Sequence, residues 1–159
     1  MISCDEKEFL LTWIKTIEDR FIPNPVSPHR KFYMFTNHES CPYLLWDIKQ
    51  RIIEKENLQS CHSEPFIGDY VGWISNGGAI HIHRDPGAIG SDGKKLRHVR
   101  YNLFLSVPDE GGVGIYDGEL KYPKEGEYLI CESSEYDHGC TEVVGSKPRI
   151  ILSYGFLEP

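Results

Sequence analysis

From Pro65 to the C-terminus the chain repeats one local theme: short runs of apolar, β-branched and aromatic residues, punctuated by Gly, Asn, Asp and Pro. Residues 66–75, 81–85, 98–107, 113–116, 127–131, 137–144 and 149–156 are such runs, with Asn76-Gly77-Gly78, Gly111-Gly112 and Asp117-Gly118 as turn signals. That spacing predicts about eight short strands closing into a sandwich or barrel. The clearest run is 98–107. Val99, Tyr101, Leu103, Leu105 and Val107 fall on one face of a strand there, and Arg100, Asn102, Phe104 and Ser106 on the other.

The first 64 residues have a different period. Phe9, Leu10, Trp13, Ile14 and Ile17 recur at helical spacing within 5–21, and Leu44, Leu45, Ile48, Ile52 and Ile53 do so within 41–58. Between them Pro23, Pro25 and Pro28 break the pattern, and 31–36 reads as a short strand. The expectation is a single domain over 1–159, mainly β, with 1–64 as helical support and 65–157 as the strand-rich core.

Charge and cysteine usage narrow the function classes. A net charge of −7 argues against a nucleic-acid partner, whose phosphates call for a basic surface. The small run Lys94, Lys95, Arg97 and Arg100 reads as a solvated loop. Five cysteines without a C-x-x-C pair, after an opening without a signal-peptide pattern, predict a reduced, cytoplasmic protein. No apolar run approaches the ~20 residues of a membrane span. The sequence sets no oligomeric state.

The chemistry concentrates in residues 80–86. His81, His83 and Asp85 are two apart, so on a strand they would share one face. Imidazole and carboxylate suit Fe, Zn and related divalent metals, and three ionisable groups side by side on a half-buried sheet are costly unless something pairs them. One strand cannot complete such a site. His138, opening the run at 137–144, is the best further ligand, whereas His29, His38 and His62 read as surface residues and His98 opens the run at 98–107, outside the expected ligand set. Arg149 opens an otherwise apolar strand and needs a carboxylate, from the protein or from a bound acid.

The order His83-x-Asp85, His138, Arg149 resembles that of the iron(II)/2-oxoglutarate-dependent oxygenases. The resemblance implies a double-stranded β-helix (jelly-roll, cupin-like) core. It implies Fe(II) on His83, Asp85 and His138, 2-oxoglutarate held by Arg149, and ascorbate as an accessory reductant. Residues 99–105 look like the strand that carries an Arg-x-His in the aspartyl/asparaginyl hydroxylase branch, with Asn102 standing where that branch has His. Gly111-Gly112 resembles the double glycine of prolyl-hydroxylase-like members. Family members often have Ser or Thr two residues after the Arg; Ile151 stands there in this chain, so Tyr101 or Tyr154 is expected to supply the hydroxyl. His81 is expected at the rim, and Arg100 faces either a substrate or a protein acid. Trp73, Phe104, Ile115 and Tyr116 are core residues that could line the pocket.

Two other patterns fit less well. The metallo-β-lactamase signature places a His directly after the Asp, where this chain has Pro86, and the cupin signature wants a Glu where Pro86-Gly87-Ala88 stands. A non-catalytic jelly-roll retaining the metal site stays open as the alternative, with a metallohydrolase behind it. The substrate is expected to be a side chain in a peptide or protein, with a free small molecule also open.

Overall fold

The computed structural model describes residues 2–35 and 40–158. His38, expected at the surface, lies outside them. Helix α1 (Cys4–Thr16) begins at Ser3, whose hydroxyl accepts from the Glu6 N–H while the Glu6 carboxylate accepts from the Ser3 N–H. This reciprocal cap satisfies two backbone donors that helix geometry leaves free. The proline-rich stretch is more than a break. It forms the edge strand β1 (Ile22–Asn24), which turns into β2 (Ser27–Met34), and an edge is where a strand tolerates proline. The first 64 residues therefore supply strands as well as helices. Helix α2 (Tyr43–Glu56) stops at Asn57, which adopts the left-handed conformation with φ 59°.

The remaining strands are more numerous than the sequence runs suggest, and most are shorter, although β7 and β14 are longer. They are β3 (His62–Ser63), β4 (Tyr70–Ile74), β5 (Ile80–His83), β6 (Ala88–Ile89), β7 (Lys95–Ser106) and β8 (Glu110–Gly111). After these come β9 (Gly114–Tyr116), β10 (Glu119–Lys121), β11 (Tyr128–Cys131), β12 (His138–Cys140), β13 (Val143–Val144) and β14 (Arg149–Glu158). A large antiparallel sheet runs β1-β2-β4-β14-β7-β11, and a smaller one runs β10-β9-β12-β5. Together they make the double-stranded β-helix. The turn at Gly111 requires glycine, because φ is +71° and a Cβ would lie 1.8 Å from the Glu142 carbonyl oxygen.

The long strand β7 is buried on both faces from His98 to Ser106. Val99, Tyr101, Leu103 and Leu105 join Ile150, Leu152, Tyr154 and Phe156 of β14 in one core with Leu10 and Ile14 of α1 and Leu45, Ile48 and Ile52 of α2. The helices thus cover the outer face of the large sheet. The opposite face carries Arg100, Asn102 and Phe104 on β7, beside Gly155, Ser153 and Ile151 on β14. That inner face is where the chemistry lies. Among the described residues no helix is long and apolar enough to cross a membrane, and all five cysteines are free.

Glu125 fastens α1 to the sheet. It pairs with Lys7 at 2.7 Å and Lys147 at 2.8 Å, and accepts from the Val107 N–H. Partial burial pushes its pKa up, but the two lysines and the N–H outweigh this and draw it down from 4.5 to about 2. A depressed carboxyl pKa adds stability that is complete above the unfolded value and is lost as pH falls from 4.5 towards 2. Glu125→Gln is expected to cost about 1–2 kcal/mol at pH 7, allowing for solvent screening of this partly exposed cluster. The deficit should vanish near pH 2. Urea unfolding at the two pH values checks both.

Candidate metal centre

Strands β5 and β12 pair with His83 directly opposite His138, and β12 pairs with β9 with His138 opposite Tyr116. Residues opposite one another in an antiparallel ladder share a face, so all three point inward. Asp85 follows the end of β5, its N–H bonded to the Ser133 carbonyl at 2.8 Å. His83 Nε2 lies 3.4 Å from Asp85 Oδ1, and His138 Nε2 3.9 Å from Asp85 Oδ2. One ligand atom from each of His83, Asp85 and His138 can be chosen so that all lie within 4.8 Å of one another.

Both histidines are prepared to ligate. His83 Nδ1 is 2.8 Å from the His81 carbonyl and His138 Nδ1 is 3.4 Å from the Tyr136 carbonyl. A carbonyl only accepts, so each Nδ1 carries the proton and each Nε2 lone pair is left for a cation. Burial lowers the pKa of His138, outweighing the Asp85 charge, and this keeps the ring neutral. Two imidazole nitrogens and one carboxylate converging this closely fit a divalent metal such as Fe(II).

His81 lies outside the ligand cluster, as a rim residue would, and the strand ladder shows why it does not share the ligands' face. Between the His83–His138 pair and the Ile80–Cys140 pair the register shifts, three residues on β5 against two on β12. The shift gives Ile80 the inward position beside Ile74, Cys140 and Val143, and leaves His81 exposed and outside the ligand cluster.

A cavity of ≈ 350 Å³ borders the inner face, lined among others by Arg149, Arg30, Tyr70, Ile80 and Ile151. Arg149 is 4% exposed, its guanidinium stacks 4.9 Å from the centre of the Phe104 ring, and its buried Nε has no hydrogen-bond partner among the described residues. Asn102 is on the same inner face, its amide nitrogen 3.4 Å from the Tyr116 hydroxyl. Burial, reinforced by Cys131, pushes the Tyr116 pKa up to about 12, so the phenol stays protonated and able to donate.

Three expected site residues are held by other packing. Tyr101 and Tyr154 lie on the helix-covered face: Tyr101 packs edge-on against Tyr128 and Phe156, and the Tyr154 hydroxyl donates to the Leu45 carbonyl of α2 at 2.9 Å. Trp73 also points outward, with its ring against Phe21 and under the Lys31 ammonium. Strand alternation puts Tyr101 and Tyr154 out of reach of the cavity, whereas Trp73 borders it despite this outward packing. Tyr70 lines the same cavity as Arg149, and Tyr116 is close enough for the Arg149 charge to act on its hydroxyl. The alternation Tyr70-x-Gly72-x-Ile74, in phase with Arg149 across β14, is the signal that could have identified Tyr70.

Arg100 is neither solvated nor free for a substrate. Its Nη2 donates to Glu64 Oε2 at 2.8 Å, and its Nη1 to the Gly68 carbonyl and the Ser153 hydroxyl. His98, buried on the same side, stands between this pair and the metal ligands: Nδ1 is 3.6 Å from Asp85 Oδ2 and Nε2 is 3.9 Å from Glu64 Oε2. His29 and His62 are exposed.

The architecture has solved counterparts. HygX from Streptomyces hygroscopicus, with nickel and 2-oxoglutarate bound, is 11% identical, with TM-score 0.75 over 99% of this chain and 80% of that one. A Pseudomonas putida prolyl-4-hydroxylase is 18% identical, with TM-score 0.68 over 99% and 89%. The viral collagen prolyl hydroxylase of Paramecium Bursaria Chlorella virus-1, as a 2-oxoglutarate complex, is 18% identical, with TM-score 0.63 over 99% and 92%. No protein-family model and no curated protein matches the sequence. At these identities the likeness establishes a shared fold.

Proposed function

We propose that this chain is an Fe(II)- and 2-oxoglutarate-dependent dioxygenase that hydroxylates an amino-acid side chain in a peptide or protein. The observation that carries the reading is the cluster of His83, Asp85 and His138 at the smaller sheet together with a buried Arg149 on the inner face of the large sheet, whose Nε has no hydrogen-bond partner among the described residues. A metal held by three protein ligands keeps positions open for other groups, and a buried guanidinium without a counter-ion calls for a carboxylate. HygX, solved with nickel and 2-oxoglutarate, and the viral prolyl hydroxylase, solved with 2-oxoglutarate, support the reading.

Bound at the triad, iron would couple the oxidative decarboxylation of 2-oxoglutarate by O2, giving succinate and CO2, to insertion of the second oxygen atom into a substrate C–H bond. The protein's part is positioning and enclosure. Arg149 neutralises the distal carboxylate of the co-substrate, and Phe104 stacks on the guanidinium and holds it in place. Tyr116 and Asn102 offer hydrogen bonds on the adjoining wall, while Ile80 and Ile151 keep the cavity apolar and limit water. Phe66 and Ile67, largely exposed at the edge of the cavity, supply an apolar rim suited to a peptide.

Succinate formation tests the reading. Incubated with Fe(II), ascorbate, 2-oxoglutarate and O2, the protein is expected to release succinate, faster when a peptide substrate is present. Metal binding without 2-oxoglutarate binding or succinate would leave a non-catalytic metal module instead.

A further inference from the structure

The cavity holds a second arginine. Arg30 on β2 pairs with Ile74 on β4, and Ile74 pairs in turn with Arg149 on β14. The three residues form one row across the sheet on one face, so the two arginine backbones stand roughly 10 Å apart, two strand spacings. Both side chains line the same cavity. Among the described residues neither forms an ion pair with an acid. The nearby buried acids are already engaged, Glu64 with Arg100 and Asp69 with Lys49 at 2.7 Å. Burial, with Arg149 facing it, lowers the pKa of Arg30, as expected of two cations sharing a low-dielectric space.

Two like charges on one apolar wall are unfavourable in the empty protein. An anion entering between them removes the repulsion and gains both attractions. A single carboxylate has two oxygens, and each arginine presents a fork of donors, so one carboxylate can be gripped from two sides. The site's own metal ligands would hold the opposite end of a short diacid.

We propose that Arg30 and Arg149 form a two-arginine clamp on one carboxylate, the distal carboxylate of 2-oxoglutarate. The identity of the diacid rests on the dioxygenase reading; the clamp itself rests on the row Arg30–Ile74–Arg149 and the shared cavity.

Calorimetric titration of the protein loaded with Mn(II), without O2, tests it using two ligands: 2-oxoglutarate and 2-oxopentanoate, which keeps the chelating end and lacks the distal carboxylate. Arg30→Met and Arg149→Met are each expected to weaken 2-oxoglutarate by roughly tenfold or more, the loss of a charge-assisted hydrogen bond. Both should leave 2-oxopentanoate within twofold. The double variant should lose less than the product of the single losses, because both arginines act on one group. Thermal unfolding of the ligand-free protein supplies a readout that a structural role would move the other way. Arg30→Met should melt at or above the wild-type temperature, since it removes an uncompensated cation.

If Arg30→Met binds 2-oxoglutarate as the wild type does while Arg149→Met does not, the clamp is wrong and the dioxygenase reading stands. If Arg30→Met melts well below wild type, Arg30 is structural and the clamp is equally wrong. A wild-type protein that binds Mn(II) but neither ligand overturns the co-substrate assignment, and the clamp on 2-oxoglutarate with it.

Discussion

Asp85→Ala is expected to lower the affinity for Fe(II) or Mn(II) by more than roughly 100-fold, beyond the loss that follows removal of a group behind a metal ligand. Asp85 is the only acid in the cluster, and it lies 3.4 Å from His83 Nε2 and 3.9 Å from His138 Nε2, so its removal takes away both a ligand and the charge that balances a cation. The backbone at this position should hold, because the Asp85 N–H bonds to the Ser133 carbonyl independently of the side chain. His81→Ala is the matched control. His81 is exposed and outside the cluster, and only its carbonyl orients the His83 ring, so the substitution should leave metal affinity within twofold. Titration with Mn(II) followed by its paramagnetic signal measures both. Equal losses in the two variants would place a metal, if any, on a different ligand set.

The contrast between those two residues also marks how far the sequence could be read. His83, Asp85 and His138 were visible as ligating side chains on strands, and Arg149 as a charge opening an apolar strand that needed a counter-ion. The period-two rule then assigned His81 to the same face, and a register shift of one residue against β12 overrode it. A local pattern carries no information about such a shift, which depends on the partner strand. Tyr154 is a different case. It is five residues from Arg149, an odd separation, so strand alternation alone places it on the other face. Tyr101 was harder, because β7 is buried on both sides and nothing local tells the helix-covered face from the cavity face. Arg30 was obscured by the prolines around it, which read as a break although they flank an edge strand and the start of its partner.

Arg100→Met is expected to destabilise the fold by about 3–5 kcal/mol, the usual penalty for leaving one member of a buried ion pair without its partner. Glu64 has no exposed side-chain surface, and Arg100 has 6%. Once the guanidinium is gone, Glu64 retains hydrogen bonds from the backbone N–H groups of Phe66, Ile67 and Gly68, with the His98 ring 3.9 Å away, and no full counter-charge. The space left cannot be refilled by a shift of β14, because Gly155 already lies against this pair: a Cβ there would sit 2.9 Å from the Glu64 Cβ and 3.3 Å from the Arg100 guanidinium carbon. The double variant Glu64→Gln with Arg100→Met should recover most of the loss, since it removes both charges and keeps an acceptor for the loop. Glu64→Gln alone should be intermediate, leaving Arg100 its bonds to Gly68 and Ser153. Urea unfolding of the four proteins closes the cycle, and a coupling near zero would mean that the pair contributes nothing beyond its separate contacts. The same pair governs the cavity edge, because Glu64 fixes the segment that carries Phe66 and Ile67. Protease cleavage after Phe66 should therefore accelerate in Arg100→Met and slow again in the double variant, even under conditions where all four proteins remain folded.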